Sequence, residues 1–179
     1  MNNIINVPEL GKTKKPKLLM NGHFDELYTP CYALNPLLPF LKQGWLIWEC
    51  AWGTGALANH LKNIGFEVIG NGEDFLTTYR DCNVIVTNPP YSKKEEFLKR
   101  AYELGKPFAF LMPLTALEGI KRGDLYSRHG LQLIIPNRRI NFVTPKGGKS
   151  CWFATAWFTW GLNVSKDLLF VELEKGGVS

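Results

Sequence analysis

Short apolar runs alternate with amphipathic stretches along most of the chain, and the two periods separate strands from helices. Residues 84–87 (Val-Ile-Val-Thr) are β-branched and continuously hydrophobic, the pattern of a strand buried on both faces of a parallel sheet. Residues 45–49 predict another strand, four apolar side chains closed by Glu49. Residues 66–70, 108–112 and 131–135 predict three more, the last two stopped by Pro113 and Pro136. Helix patterns lie between them. Residues 56–61 follow a glycine loop, and their helix ends at Gly65. Residues 92–104 place Phe97, Leu98, Ala101 and Leu104 on one face, with Ser92 as cap, Glu95 completing a capping box and Gly105 as stop. Ahead of these, Ala33, Leu34, Leu37, Leu38 and Leu41 share one side of a short helix behind Thr29-Pro30, a cap and first-turn proline. Residues 151–160 and 168–173 close the chain as two late strands, antiparallel across a turn at 161–166. The alternation predicts a three-layer α/β sandwich: about seven strands in a mostly parallel sheet, with a C-terminal antiparallel hairpin. Residues 1–22 show no such period and read as a basic, partly disordered arm, leaving residues 23–179 as a single domain.

Chemistry concentrates where the buried strands end. Asn88-Pro89-Pro90-Tyr91 directly follows residues 84–87, so it occupies the carboxyl edge of a strand, where open α/β sheets bind ligands. Two prolines hold that backbone extended and remove two N–H donors. Asn88 then offers a side-chain carbonyl, Pro89 a main-chain carbonyl and Tyr91 a flat ring, a set suited to a planar group bearing an NH₂. The plainer alternative is a Pro-Pro strand terminator with a core tyrosine.

Earlier, Glu49 and Cys50-Ala51-Trp52-Gly53-Thr54-Gly55 run into a helix pattern, the order strand, glycine loop, helix. Gly53 and Gly55 allow close backbone approach, and the helix start presents unpaired N–H groups. The loop lacks the third glycine of a dinucleotide fingerprint, so a tight turn is the alternative. After the second strand, Asn71-Gly72-Glu73-Asp74-Phe75 is polar and then acidic-aromatic. Carboxylates there suit a ribose or an adenine amino group, and an Asx-rich turn is the competing reading.

Composition narrows the class. The 179 residues are 45% hydrophobic with no stretch near the ~20 apolar residues of a membrane span, and the start lacks a signal-peptide pattern, so a soluble cytoplasmic protein is expected. Cys31, Cys50, Cys82 and Cys151 form no CxxC pair and His23, His60 and His129 are dispersed, so neither a disulfide framework nor a metal site is indicated. The net charge of +5 favours a polyanionic partner. Lys12, Lys14, Lys15 and Lys17 cluster early, and Arg138, Arg139, Lys146 and Lys149 gather around a glycine-rich stretch.

Together these motifs resemble the class I S-adenosylmethionine-dependent methyltransferases that modify exocyclic amino groups, in character the small phage- and prophage-type DNA adenine methyltransferases. The resemblance spans residues 28–160. It implies S-adenosylmethionine as cofactor and the N6 amino group of adenine, flipped out of double-stranded DNA, as target. Asn88, Pro89, Pro90 and Tyr91 match the catalytic motif in full. Thr29-Pro30 resembles the motif beside the methionine end of the cofactor, Glu49, Ala51, Gly53 and Gly55 the glycine loop, and Asp74-Phe75 the pair that holds the adenine. Arg139-Ile140-Asn141-Phe142 loosely resembles the late motif whose aromatic ring packs on the flipped base. RNA adenine, cytosine N4 and protein glutamine present the same planar NH₂, and a non-catalytic nucleic-acid-binding subunit is a reading of a different class.

Two departures accompany the match. The acidic residue usual after strand two is missing, so Asn71 or Glu73 takes the ribose in its place. No segment is long enough for a target-recognition domain, so specificity is expected to be low or to come from a second copy or a partner subunit. The implied setting is the cytoplasm of a bacterium or a phage-infected host. In the implied mechanism, N–H bonds to Asn88 and the Pro89 carbonyl favour a pyramidal amine whose lone pair faces the sulfonium methyl. Tyr91 stacks on the extruded base, and Lys146 and Lys149 contact phosphate.

Overall fold

The computed structural model describes residues 28–143 and 153–174. The expected basic arm, Cys151 and the loop lysines Lys146 and Lys149 lie outside the described residues. Seven strands form one sheet among those described: β1 (Leu46–Trp48), β2 (Glu67–Ile69), β3 (Val84–Thr87), β4 (Phe108–Pro113), β5 (Gln132–Pro136), β6 (Thr155–Trp160) and β7 (Leu168–Val171). Their order is β2-β1-β3-β4-β6-β5-β7, and only β6 runs against its neighbours. Among the described residues three α-helices flank the sheet, α1 (Ala56–Asn63), α2 (Lys94–Leu104) and α3 (Ile120–His129).

Strand alternation divides the core into two layers. Ile47, Val84, Val86, Ala109, Leu111 and Trp157 face the layer that holds Leu57 and Leu61 of α1. Trp48, Ile85, Phe108, Phe110 and Phe158 face Phe97, Leu98 and Ala101 of α2. This is the expected three-layer α/β sandwich.

Antiparallel pairing is present at the C-terminal end, but between β5 and β6; β7, expected beside β6, lies on the far side of β5 and parallel to it. Burial explains the arrangement. Every residue of β6 but the last is buried, as in a strand with neighbours on both sides, whereas β7 alternates exposed with half-buried residues in the manner of an edge.

Three local expectations change. Residues 31–41 form two 3₁₀ turns, Cys31–Leu34 and Leu38–Phe40, in place of one helix, and Pro30 is the cap of the first. Pro36 and Pro39 deny an α-helix its N–H donors there, although Ala33, Leu34, Leu37 and Leu41 are buried as expected. Tyr91–Lys93 make another 3₁₀ turn, so α2 starts at Lys94, beyond Ser92. Helix α3 carried no readable period, because Gly123 interrupts it and none of its residues is buried. Polar contacts hold it: Arg122 donates from Nε to the Ala116 carbonyl at 2.8 Å, and Lys121 pairs with Glu95 of α2 at 3.1 Å.

Candidate active site

From β1 the chain goes outward to β2, then returns across β1 to β3. Strand order therefore reverses between β1 and β3, and their carboxyl ends open a crevice at which open α/β sheets bind ligands. A cleft of about 300 Å³ lies there, at the small end of ligand pockets. Thr29, Glu49, Ala51, Gly53 and Asn88 line it, which unites residues of three separate predicted motifs.

Glu49 is 1% exposed. Its Oε1 accepts from the Ala51 N–H at 3.0 Å and from the Thr87 hydroxyl, which in turn accepts from the same N–H at 3.2 Å. These bonds tie the last residue of β3 to the glycine loop after β1. Burial pushes the Glu49 carboxyl up from the ordinary 4.5 to about 6, against the lowering effect of the Thr87 and Ala51 bonds. A folded-state pKa above the unfolded one favours the native state at low pH, and that advantage disappears as pH rises through 6. Stability should therefore fall by about 2 kcal/mol between pH 4 and pH 8 through this group. In urea melts at the two pH values, Glu49→Gln is expected to remove that part of the slope.

Asn88 follows β3 directly and donates from Nδ2 to Thr29 Oγ1 at 3.2 Å, which sets the orientation of its amide. Thr29 is itself held by the neighbouring backbone, since Tyr28 and Val143 exchange N–H···O bonds of 2.9 and 3.2 Å. Pro89 is buried and Pro90 half-buried. The Tyr91 ring meets Phe153 edge-on at 5.7 Å, and Phe153 stacks on Phe142 at 6.4 Å. This aromatic row joins the tetrapeptide to the late motif.

The glycine loop is shaped by Trp52. A Cβ on Gly55 would lie 2.9 Å from the indole nitrogen, and one on Gly70 would lie 3.1 Å from the other end of the ring. Lys62 of α1 sits 5.4 Å over the same ring. Gly55, with φ of +75°, caps α1.

Other predicted site residues fall elsewhere. Phe75 is 1% exposed, with Trp48, Phe97 and Phe110 around its ring, so it offers no open face to a ligand. Asp74 caps its own turn, its Oδ1 accepting from the Leu76 N–H at 3.0 Å. Glu73 is ion-paired with Arg80, whose Nε donates to it at 2.9 Å, and this bond, aided by one from Asn71, holds its carboxyl below the usual range. None of these four lines the cleft. Phe142 is fully buried in the core, with Phe153 between it and Tyr91, while Arg139 is exposed. Pro30 is half-buried beside Thr29. Reading the sequence missed Tyr28, Trp52 and Thr54 as cleft residues, Thr87 as the Glu49 donor and Phe153 as the tyrosine's partner. Trp52 and Thr54 lie inside the recognised glycine loop and Tyr28 and Thr87 adjoin recognised motifs, whereas Phe153 carried no signal.

Among the described residues no group of His, Cys, Asp or Glu could hold a metal ion, and no helix is long and apolar enough to cross a membrane.

No family model matches the chain, nor does any curated protein at significant similarity. Solved structures do resemble it. A Listeria monocytogenes protein assigned to the class I S-adenosylmethionine-dependent methyltransferases aligns with 86% of this chain and 68% of its own, at TM-score 0.53 and 14% identity. A Pyrococcus horikoshii protein assigned as an RNA methyltransferase aligns over 72% and 79%, at TM-score 0.46 and 14% identity. A modification subunit assigned to a type I restriction enzyme of Vibrio vulnificus aligns over 75% of this chain and 44% of its own, at TM-score 0.48 and 13% identity. At such identities the likeness is one of fold: the chain is built on the Rossmann-like architecture of the class I methyltransferases.

Proposed function

We propose that the protein transfers the methyl group of S-adenosylmethionine to the N6 amino group of adenine in DNA. The observation that carries this reading is that the Asn88 amide and the glycine loop with its buried Glu49 line one cleft. An amine acceptor and a donor cradle thus share one space.

The residues fit the cofactor at its cationic methionine end. Glu49 places a carboxylate in the cleft wall, Gly53 leaves the loop backbone approachable, and the start of α1 adds N–H groups. When bound, the cofactor supplies a methyl group on a positively charged sulfur that departs as a neutral thioether. Glu49, with its pKa near 6, is ionised above that pH and then balances the positive charge. Binding of the cationic cofactor should tighten from pH 5 to pH 7 and release protons near pH 6.

Asn88 acts on the other reactant. Its amide accepts an N–H of the target amine, which draws the nitrogen lone pair out of conjugation and aims it along the line of transfer. Tyr91, braced by Phe153, provides a flat surface for the extruded base. The exposed Arg138 and Arg139 supply phosphate-seeking charge at the strand ends.

Thr29 is a positioning residue, since it touches Asn88 through the 3.2 Å bond. Thr29→Val is expected to lower kcat about tenfold, the worth of one such bond, with binding of S-adenosylhomocysteine unchanged. Single-turnover kinetics beside calorimetry separate the two effects.

The function itself is tested with tritiated S-adenosylmethionine and unmethylated DNA, RNA and protein, followed by analysis of the labelled product. Label in N6-methyladenine of DNA is expected. Label confined to RNA adenine, cytosine N4 or glutamine would overturn the substrate, and no label together with no cofactor binding would overturn the activity.

A further inference from the structure

Strand β7 is the outermost strand, and among the described residues no other strand pairs with its outer edge. Natural edge strands are blunted by shortness, a proline, a bulge or a charge. Leu168-Leu169-Phe170-Val171 is short but carries none of the other three. Leu168 and Phe170 are 55% and 70% exposed on one face, while Leu169 and Val171 on the other pack into the core.

Backbone direction shows which residues the edge presents. The Asp167 carbonyl accepts from the Leu133 N–H at 2.7 Å and the Val171 carbonyl from the Asn137 N–H at 2.8 Å, so the odd-numbered residues point their polar backbone groups inward to β5. The even-numbered residues therefore turn their N–H and C=O groups outward. Within the strand those residues are Leu168 and Phe170; Lys166 and Glu172 flank them, and all four are exposed.

Read as basic, apolar, apolar, acidic, this row is complementary to itself when reversed. We propose that the protein forms a two-fold dimer by antiparallel pairing of β7 with β7 of a second copy, centred on Leu169. In that register Leu168 lies opposite Phe170 of the second copy and Lys166 opposite its Glu172. The Leu168–Phe170 pair is of the hydrogen-bonded type that outward-facing even residues require, and the flanking Lys166 and Glu172 bring opposite charges to its two ends. A register shifted by two residues toward the C-terminus sets Leu168 against Glu172, and one shifted the other way sets Lys166 against Phe170. Only the centred register matches charge with charge and apolar with apolar. A two-fold axis through Leu169 closes the assembly at two copies. The proposed catalytic cleft, between β1 and β3, lies toward the opposite side of the sheet, so pairing leaves it open.

The test is the mass in solution by light scattering and sedimentation velocity over a range of concentrations. The wild-type chain should sediment as a species twice its 20.3 kDa. Phe170→Lys should be monomeric and folded, with a melting temperature that no longer depends on protein concentration, because that ring is mostly exposed in the single chain. Lys166→Glu and Glu172→Lys should each weaken the dimer, whereas the two variants mixed together, or both changes in one chain, should restore it. That rescue is specific to the register, and loss of a generic hydrophobic contact would not produce it. A wild-type monomer at every concentration overturns the proposal and leaves the edge to residues 1–27 or to a strand of another protein. A dimer indifferent to all three substitutions overturns it in favour of a different face.

Discussion

Asn88→Ala is expected to reduce methyl transfer by at least about 10²–10³-fold while S-adenosylhomocysteine binds as before. In the proposed mechanism the amide acts on the amine, where charge develops, and the truncated side chain would leave neither an acceptor for that amine nor a donor for Thr29. The fold should survive, because Asn88 is only half-buried and follows a strand whose own residues are untouched. Asn88→Asp sharpens the comparison. A carboxylate still accepts the amine's N–H, and the Thr29 hydroxyl can rotate to donate where it formerly accepted. Its loss should therefore be smaller than that of the alanine variant. Single-turnover transfer of tritiated methyl, with calorimetric binding in parallel, measures both quantities. Undiminished transfer by Asn88→Ala would remove the residue from the mechanism.

Gly70→Ala should destabilise the protein by about 3 kcal/mol or more, a fall in Tm of roughly 6–12 °C for a chain of this size. A Cβ there would lie 2.1 Å from the Glu49 carbonyl oxygen, and φ is +133°, where an L residue is strained regardless of space. Neither backbone can withdraw cheaply. The Glu49 N–H donates to the Ile69 carbonyl at 3.0 Å, so separating the two chains breaks the bond that joins the ends of β1 and β2. The same movement displaces Glu49 from the cleft wall, so cofactor binding should weaken along with stability. Gly65→Ala is the control. Its φ is +95° with no atom within 4 Å of the new Cβ, so only the conformational cost applies, about 1–2 kcal/mol. Thermal melts of the two variants distinguish a backbone collision from a conformational preference.

Recognition from the sequence succeeded for the buried strands and for the glycines that stop helices. Residues 84–87 are buried as read, and Gly105 stops α2 with φ of +62°. It did not reach properties that a residue's surroundings decide. Phe75 and Phe142 are aromatic residues beside polar ones in sequence, and both are enclosed by core side chains in space. Trp52 had no period to mark it, yet it meets Gly55 and Gly70 and walls the cleft.

By itself the sequence determined which segments are strands, that a glycine loop follows one and Asn88 another, and hence that the ligand edge carries this chemistry. Those are consequences of local hydrophobic period and turn chemistry, which act within a few residues. The tertiary structure decided that Thr29 meets Asn88 across 59 positions and that Thr87 meets Glu49 across 38. It also decided that Glu73 is committed to Arg80 and that β5 lies between β6 and β7. Such neighbours are chosen by the packing of whole layers, where burial of apolar surface is satisfied by many local sequences but by few arrangements of the elements.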